Sequence, residues 1–517
     1  MEDNADTRAA REYHEVTKHS PTSIRTALHR LDWANKPSPF KVYEDLPSTP
    51  LPTDFSPPDM ATLPAISSAG GGDELDLRTL AQAVYFAAGI TKEARTPDGS
   101  TLHFRAAAGA GALYPIELYV VCEALDDLPA GVYHFAPRAF ALTQLRDGDF
   151  RSYLAELAGE GEWGAPATLA LTAIFWRSAW KYQARSYRYC FWDAGTILAN
   201  LLASATSAGL RAPLVAGFDD RQLNHLLGID GVREASLCLV PLGPSRELPP
   251  ARPKVPPLEL KTLPLSREEV AYPPIQAMHH ASYLDDPEMI LRWKGSLSGR
   301  PGGGEDPASP PVPVKDQGRP LGKTILRRGS TRHFRRTPIA QDQLRAILHY
   351  ATRGFEADFL DGIDTRLVDL YLIINEVTGV PPGAYHLRVA RTEFKHLKEG
   401  DFRQWAGYLG LEQALPADAS AVVFFLADLE RVLGRFGNRG YRIAQLEAGL
   451  LGGRMYLAAY ALGLGATGLT FYDDEIVDFF SPHAEGKDAI FTVALGKAVG
   501  VRSNVRRVPP PFAEEGS

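Results

Sequence analysis

An internal repeat limits what this chain can fold into more than any single motif does. Gly131-Val132-Tyr133-His134-Phe135 matches Gly383-Ala384-Tyr385-His386-Leu387, and Asp147-Gly148-Asp149-Phe150-Arg151 matches Glu399-Gly400-Asp401-Phe402-Arg403, both 252 residues apart. The strand-like runs Leu118-Tyr119-Val120-Val121 and Leu370-Tyr371-Leu372-Ile373 keep that spacing. Further along the spacing becomes 254. Tyr187-Arg188, Asp193-Ala194-Gly195, Gly209 and Asp219-Asp220 answer Tyr441-Arg442, Glu447-Ala448-Gly449, Gly463 and Asp473-Asp474. Chance matches do not hold register over so long a stretch, and a period of this length means two domains rather than a solenoid.

Each copy shows the same order of elements. An amphipathic helix (Leu80–Gly89; Gln343–Arg353) precedes apolar strands (Ile116–Cys122 and Leu169–Trp176; Leu367–Ile374 and Ala421–Leu426). A long Ala/Leu-rich helix (Ala194–Ala208; Ala448–Leu462) and a last strand (Ala235–Pro241; Asp488–Leu495) close the unit. Mixed helices and strands with hairpin-like turns predict an α+β fold. The expected organisation is a Pro-rich leader over 1–75, a first domain over 76–245, a linker over 246–322 and a second domain over 323–517. The linker reading comes from Pro-Gly-Gly-Gly at 301–304 and the Pro-rich run at 307–313.

With 45% apolar and 23% charged residues in 517, the chain can build a core without disulfides or metals. A net charge of −7 argues against coating nucleic acid or an anionic membrane, so any bound anion needs a local arginine cluster. Three scattered cysteines offer neither a disulfide framework nor a zinc site. The first residues lack a signal-peptide pattern, and the apolar run Met455–Phe471 is broken by glycines, reading as a core helix that runs into a loop. A soluble, cytoplasmic protein is expected.

The two copies differ where chemistry could reside. The second opens with Arg327-Arg328-Gly329-Ser330-Thr331-Arg332-His333-Phe334, a pattern that can surround a phosphate and that also suits a solvated basic turn. The first copy has Leu63–Gly70 there, without arginine. The first copy instead carries Ala106–Pro115, rich in Gly and Ala, which lets backbone N–H groups approach a flat ligand or simply makes a tight turn. The second copy reads Gly362-Ile363-Asp364-Thr365-Arg366-Leu367 at that point. Lys181-Tyr182, a candidate base and proton donor or else a solvated pair, is answered by Arg435-Phe436, which can do neither job. The losses are complementary.

These residues resemble the nitroreductase superfamily of flavin enzymes, and within it the SagB-type/ThcOx-type dehydrogenases of azole-containing peptide biosynthesis. Arg328–Phe334 is similar to the family's phosphate-binding entry, Ala108–Pro115 to its small-residue loop and Lys181-Tyr182 to its catalytic pair; Ala108 stands where the subgroup usually has Ser. Tyr13–Ser20 and Leu31-Asp32-Trp33 resemble the leaders of long SagB-like proteins. The resemblance implies two mixed sheets flanked by helices, packed as an intramolecular pseudo-dimer with FMN between the copies. Arg328, Ser330 and Arg332 would hold the phosphate, with Lys497, Arg502 or Arg506 completing the seat. Gly111, Ala112 and Leu113 would cover the flavin, and Gly468, Leu469 and Thr470 would run past its edge. One FMN site is expected to survive and the other to have decayed.

The implied activity is dehydrogenation of a thiazoline or oxazoline in a peptide-derived substrate. Lys181 or Tyr182 removes an α-proton, FMN N5 accepts hydride, and O2 returns the flavin to its oxidised form. The alternatives are an NAD(P)H-dependent nitro, quinone or ene reductase and a non-catalytic flavin- or peptide-binding partner. A monomer is expected, with further dimerisation open. His134 and His386 read as strand or turn residues, and His279-His280 has no third ligand at metal spacing. Asp219-Asp220 and Asp473-Asp474 read as helix caps. Trp180, Trp192 and Tyr189 suit either a pocket or the core.

Overall fold

Residues 4–96, 99–159, 164–250, 252–295, 317–361, 366–500 and 505–512 are described by the structure, a computed structural model. Helix α1 (Arg8–Val16) precedes the first copy. There, α2 (Leu77–Ala88), capped by the Asp76 side chain on Thr79 N, leads into a hairpin of β1 (Ile90–Arg95) and β2 (Thr101–Arg105). Strands β3 (Ile116–Cys122), β4 (Gly131–Ala136), β5 (Ala141–Asp147) and β6 (Ala167–Ile174) follow. Helices α3 (Phe175–Tyr182), α4 (Ser186–Ser207) and α5 (Asp220–Leu227) then lead to strand β7 (Glu234–Leu242).

The second copy repeats this with α6 (Gln341–Ala351), β8 (Asp369–Ile374), β9 (Gly383–Arg388), β10 (Glu393–Glu399) and β11 (Ala421–Ala427). It continues through α7 (Leu429–Phe436), α8 (Arg439–Ala461), β12 (Gly465–Leu469), α9 (Asp473–Phe480) and β13 (Asp488–Ala498). A last strand is β14 (Val505–Arg507).

The first sheet runs Ser48–Pro50, β5, β4, β3, β6, β7, and the second β10, β9, β8, β11, β13, β12, with Phe334–Arg335 also paired to β13. Every pairing in these two sheets is antiparallel. Strand β14 crosses from the second copy to pair with β1, adding a third strand to the first copy's hairpin.

The copies meet along α4 and α8, both buried for nearly their whole length. Two repeat-related glycines permit the close crossing. A Cβ on Gly195 would lie 2.3 Å from Leu450 N, and one on Gly449 would lie 2.6 Å from Trp192 Cα. Buried ion pairs lock the interface symmetrically. Asp473, in the first turn of α9, receives Arg185 at 2.8 Å and Arg188 at 2.7 Å, while Asp220, in the first turn of α5, receives Arg442 at 2.9 Å and also Arg439. Of the four aspartates expected to be caps, Asp219 is one, accepting from Gln222 N. Asp220 and Asp473 instead neutralise arginines that burial would otherwise strand.

Several elements differ from expectation. Helices α4 and α8 begin eight or nine residues before the predicted starts, because Tyr187–Asp193 and Tyr441–Glu447 are helical but buried on all sides and so carry no amphipathic pattern. The segment after α8 is a strand rather than a loop: Gly463 turns the chain at φ 78°, and β12 then pairs with β13. The first copy has no such strand at 211–215, where isolated bridges join Leu214 to Ala357 and Val215 to Leu239. Within the expected leader, Tyr13 packs edge-on between the repeat-related Tyr187 (5.4 Å) and Tyr441 (5.6 Å). Within the expected linker, helices span Pro273–Ala281 and Pro287–Gly295, and buried His279 bonds Tyr187 Oη at 3.0 Å. The Pro-Gly-Gly-Gly and Pro-rich runs lie outside the described residues. His134 and His386 are strand residues, bound to Glu117 at 2.7 Å and near Asp369 at 3.8 Å. None of the described helices is long and apolar enough to cross a membrane.

Candidate active site

Lys181 and Tyr182 are the last residues of α3, and Gln183, at φ 49°, breaks the chain sharply into the turn that starts α4. Tyr182 stacks on Tyr189, ring centroids 4.3 Å apart at 12°. Tyr189, Trp192, Asp193 and Thr196 stand at i, i+3, i+4 and i+7 of α4, so they form one face. That face looks onto the small-residue loop. Asp193 accepts from Ala110 N at 2.9 Å through one oxygen and 3.2 Å through the other, and Thr196 Oγ1 donates to Ala108 O at 2.5 Å. The loop is bent into the left-handed region at Gly111 (φ 64°), Ala112 (φ 53°) and Tyr114 (φ 49°). A Cβ on Gly111 would meet Tyr182 Oη at 3.0 Å and Lys181 Nζ at 3.4 Å, so the loop and the Lys-Tyr pair touch only because residue 111 is glycine.

The second copy supplies the opposite wall. Ser330 and Arg332 come from the loop after the short helix Leu321–Arg327, and Gly468, Leu469 and Thr470 from the end of β12. Tyr456 Oη holds Gly468 N at 2.5 Å and approaches Ser330 Oγ at 3.4 Å, while Tyr189 Oη donates to Thr470 Oγ1 at 3.0 Å, joining the copies across the site. Together these walls enclose a cavity of about 530 Å³, within the range of small-molecule sites.

The charges are unequal. Burial lowers the Lys181 pKa, and the nearby cations Arg332 and Lys36 lower it further. Burial raises that of Tyr182, reinforced by Tyr189 and Asp193. Asp193 is pushed up to about 7 by burial, its bond from Ala110 N only partly opposing this. Arg332 is exposed at the cavity, with no ion pair among the described residues. A flat ligand with an anionic tail suits this set: aromatic and glycine walls for the flat part, a free guanidinium and a hydroxyl for the tail.

Of the expected site residues, Lys181, Tyr182, Gly111, Ala112, Ser330, Arg332, Gly468, Leu469 and Thr470 border the cavity. Four lie elsewhere. Arg328 is buried and spends its guanidinium on the carbonyls of Ala106 (3.0 Å) and Arg105 (3.2 Å), tying the copies together behind the site. Leu113 is buried behind Gly111, its Cδ1 3.5 Å from where a Cβ would stand. Lys497 is exposed at the end of β13 opposite Arg335, and Arg506 pairs along β14 with Glu93. Arg502 lies outside the described residues. Tyr189 and Trp192 prove to be wall residues, whereas Trp180 donates to Asp32 O and packs on Trp33 away from the cavity. The sequence reading missed Asp193, Thr196, Tyr456 and Phe491 as wall residues; for the first two, the helical spacing from Tyr189 was the available signal.

The pseudo-symmetric position between the copies is filled. Leu202 stands where Tyr456 stands in the other half, and the remaining void is about 20 Å³. Arg454 covers Phe355 at 5.0 Å and bonds the carbonyls of Arg353 and Gly354. The backbone at Leu214–Gly217, which answers Gly468–Phe471, is already occupied. Leu214 N donates to Glu356 O at 2.9 Å, and Ala216 N and Gly217 N donate to Asp358 at 2.8 Å each.

A nitroreductase family sequence profile matches residues 73–244 and 325–497, once in each copy. The chain belongs to the nitroreductase family. The nitroreductase-type protein MJ1384 of Methanocaldococcus jannaschii is 30% identical over 171 residues, 33% of this chain and 81% of that protein. The microcin B17-processing protein McbC of Escherichia coli is 30% identical over 127 residues, which cover 23% of this chain and 47% of McbC. The crystal structure of a nitroreductase-type protein from Anabaena variabilis superimposes with a TM-score of 0.75 and 26% identity, over 95% of this chain and 99% of that one. The family match falls once in each copy, and the likeness to that solved structure extends along nearly the whole chain.

Proposed function

We propose that this nitroreductase-family oxidoreductase is an FMN-dependent dehydrogenase of the SagB/ThcOx type, acting on a thiazoline or oxazoline in a peptide-derived substrate. One observation carries the reading. Lys181-Tyr182 and the small-residue loop of one copy face Ser330, Arg332 and the Gly468–Thr470 edge of the other around a single large cavity. The relationship to McbC, by its name a microcin B17-processing protein, supports the substrate class.

The side chains divide the work. Lys181, its ammonium disfavoured by burial and by Arg332 and Lys36, presents a free amine at neutral pH more readily than a solvated lysine and takes the substrate's α-proton. Tyr182, held as a phenol by burial, is a hydrogen-bond donor rather than a base. Arg332 and Ser330 would hold the phosphate end of the cofactor, and the Gly111 loop and the β12 edge would border its ring. FMN held there supplies the two-electron acceptor that these side chains lack. Trp192 and Phe491 give the cavity an apolar inner wall.

The test is turnover of a synthetic thiazoline peptide by FMN-loaded protein, read as loss of two hydrogens by mass. Wild type should form thiazole, and Lys181→Ala should keep its flavin but lose turnover. NAD(P)H-driven reduction of a nitroarene or quinone that survives Lys181→Ala, with no thiazoline turnover, would overturn the dehydrogenase reading in favour of a reductase.

A further inference from the structure

Asp193 is a carboxyl that the proposed chemistry does not use. It is 5% exposed, borders both the main cavity and the small void behind the loop, and makes no ion pair among the described residues. Among the described residues its carboxyl accepts from Ala110 N alone. The ionisable groups around it are Cys190 on its own helix, Tyr182 on α3 and Tyr114 at the end of the loop, each influenced by its charge. Lys181 and Arg332 border the same cavity without bonding it. Arg105, across the small void, is tied to Ala88 O and Pro39 O.

The repeat shows that this is a built feature. Glu447 holds the matching position on α8 and accepts from Leu367 N at 2.8 Å and Val368 N at 3.1 Å, the backbone that answers Pro115 and Ile116 and leads directly into β8. In both copies an acid at this helix position accepts from backbone amides ahead of the first central strand, Asp193 further upstream than Glu447. In the first copy the loop is strained and set against the cavity, and backbone strain persists only where the surroundings hold it.

We propose that Asp193 is the positioning residue of the cavity: with Thr196 on Ala108 O, its carboxyl clamps the strained Ala108–Tyr114 loop against the ligand space, and it clamps most firmly when uncharged. The direction follows from linkage. A buried carboxyl without a cation prefers its proton, and opening the loop admits water that stabilises the carboxylate, so rising pH favours the open loop. The value of about 7 places the effect in the neutral range.

The first readout is hydrogen exchange at the Ala110 amide of the full-length, flavin-free protein, expressed as protection relative to intrinsic rates. It does not depend on the FMN reading, so the two can fail separately. Wild-type protection should fall by up to about tenfold per pH unit from pH 5 and level off above about pH 7. Asp193→Asn, which still accepts from Ala110 N, should stay protected with no pH dependence, and Asp193→Ala should be unprotected throughout. Thr196→Val should lower protection while keeping the pH slope. The second readout is FMN affinity by fluorescence titration, which should weaken with pH in wild type but not in Asp193→Asn. Wild-type protection as flat as that of Asp193→Asn, or Asp193→Asn as unprotected as Asp193→Ala, would overturn the proposal.

Discussion

Arg188 Nη1 lies 2.7 Å from Asp473 Oδ1 across the boundary between the copies, with both side chains essentially inaccessible to water. Its pseudo-symmetric mate is Arg442 with Asp220 at 2.9 Å. Replacing one partner strands a buried charge, so Asp473→Asn should cost about 3–5 kcal/mol, measured by denaturant unfolding. The same pair gives the chain an acid limit. The arginines overcome the burial penalty and hold Asp473 at about 2, below its ordinary 3.8. That stabilisation is complete above about pH 4 and disappears as pH falls through 2. Asp473→Asn should therefore flatten the stability profile in that window, whereas an unchanged acid slope would count against the pairing.

Lys181→Met should lower turnover by about 10²–10⁴-fold, the usual worth of a positioned base, and leave FMN binding intact. Because the base acts as the free amine, wild-type turnover should rise with pH through the lowered lysine pKa and level off above it. Tyr182→Phe keeps the stack on Tyr189 and should lose less than Lys181→Met. Equal losses in the two variants would show that the proton passes through the phenol.

Gly111→Ala tests the contact between the loop and the Lys-Tyr pair. At φ 64° a side chain costs about 1–2 kcal/mol, and the added Cβ would meet Tyr182 Oη at 3.0 Å. FMN affinity should fall about tenfold, near 1.4 kcal/mol, in fluorescence titration. An unchanged dissociation constant would mean that the loop does not face the flavin.

Asp358 belongs to the filled half, where it caps the Ala216 and Gly217 amides. Asp358→Ala leaves two buried donors without their acceptor and should destabilise by about 1–3 kcal/mol each. It should not create a second flavin site, because Leu202 and Arg454 still occupy the space. A second equivalent of bound FMN in this variant would show that the plug alone suppresses the second site.

The repeat made the pseudo-dimer legible, since its register survived in residues that pack the core: Gly195 with Gly449 at the helix crossing, and Tyr187 with Tyr441 around Tyr13. The cavity was legible where the copies differ, at Lys181-Tyr182, Gly111 and Ser330-Arg332. Arg328 was not. A motif lists an arginine without saying which acceptor it meets, and here the carbonyls of Ala106 and Arg105 take it. Asp193 was half hidden for a related reason: its helical spacing from Tyr189 marks the wall it stands on, but not the Ala110 amide it grips. Strand β12 escaped because its Gly-rich sequence, Gly465-Ala466-Thr467-Gly468-Leu469, has little strand character and is ordered by pairing with β13.

The most direct test of one composite site is the FMN content of the full-length protein after reconstitution, counted per chain from the visible spectrum and a calibrated protein concentration. One FMN per chain is predicted, lost or strongly weakened on Arg332→Ala. Two per chain would contradict the filled second half, and none, even with excess FMN, would contradict the flavoenzyme reading itself.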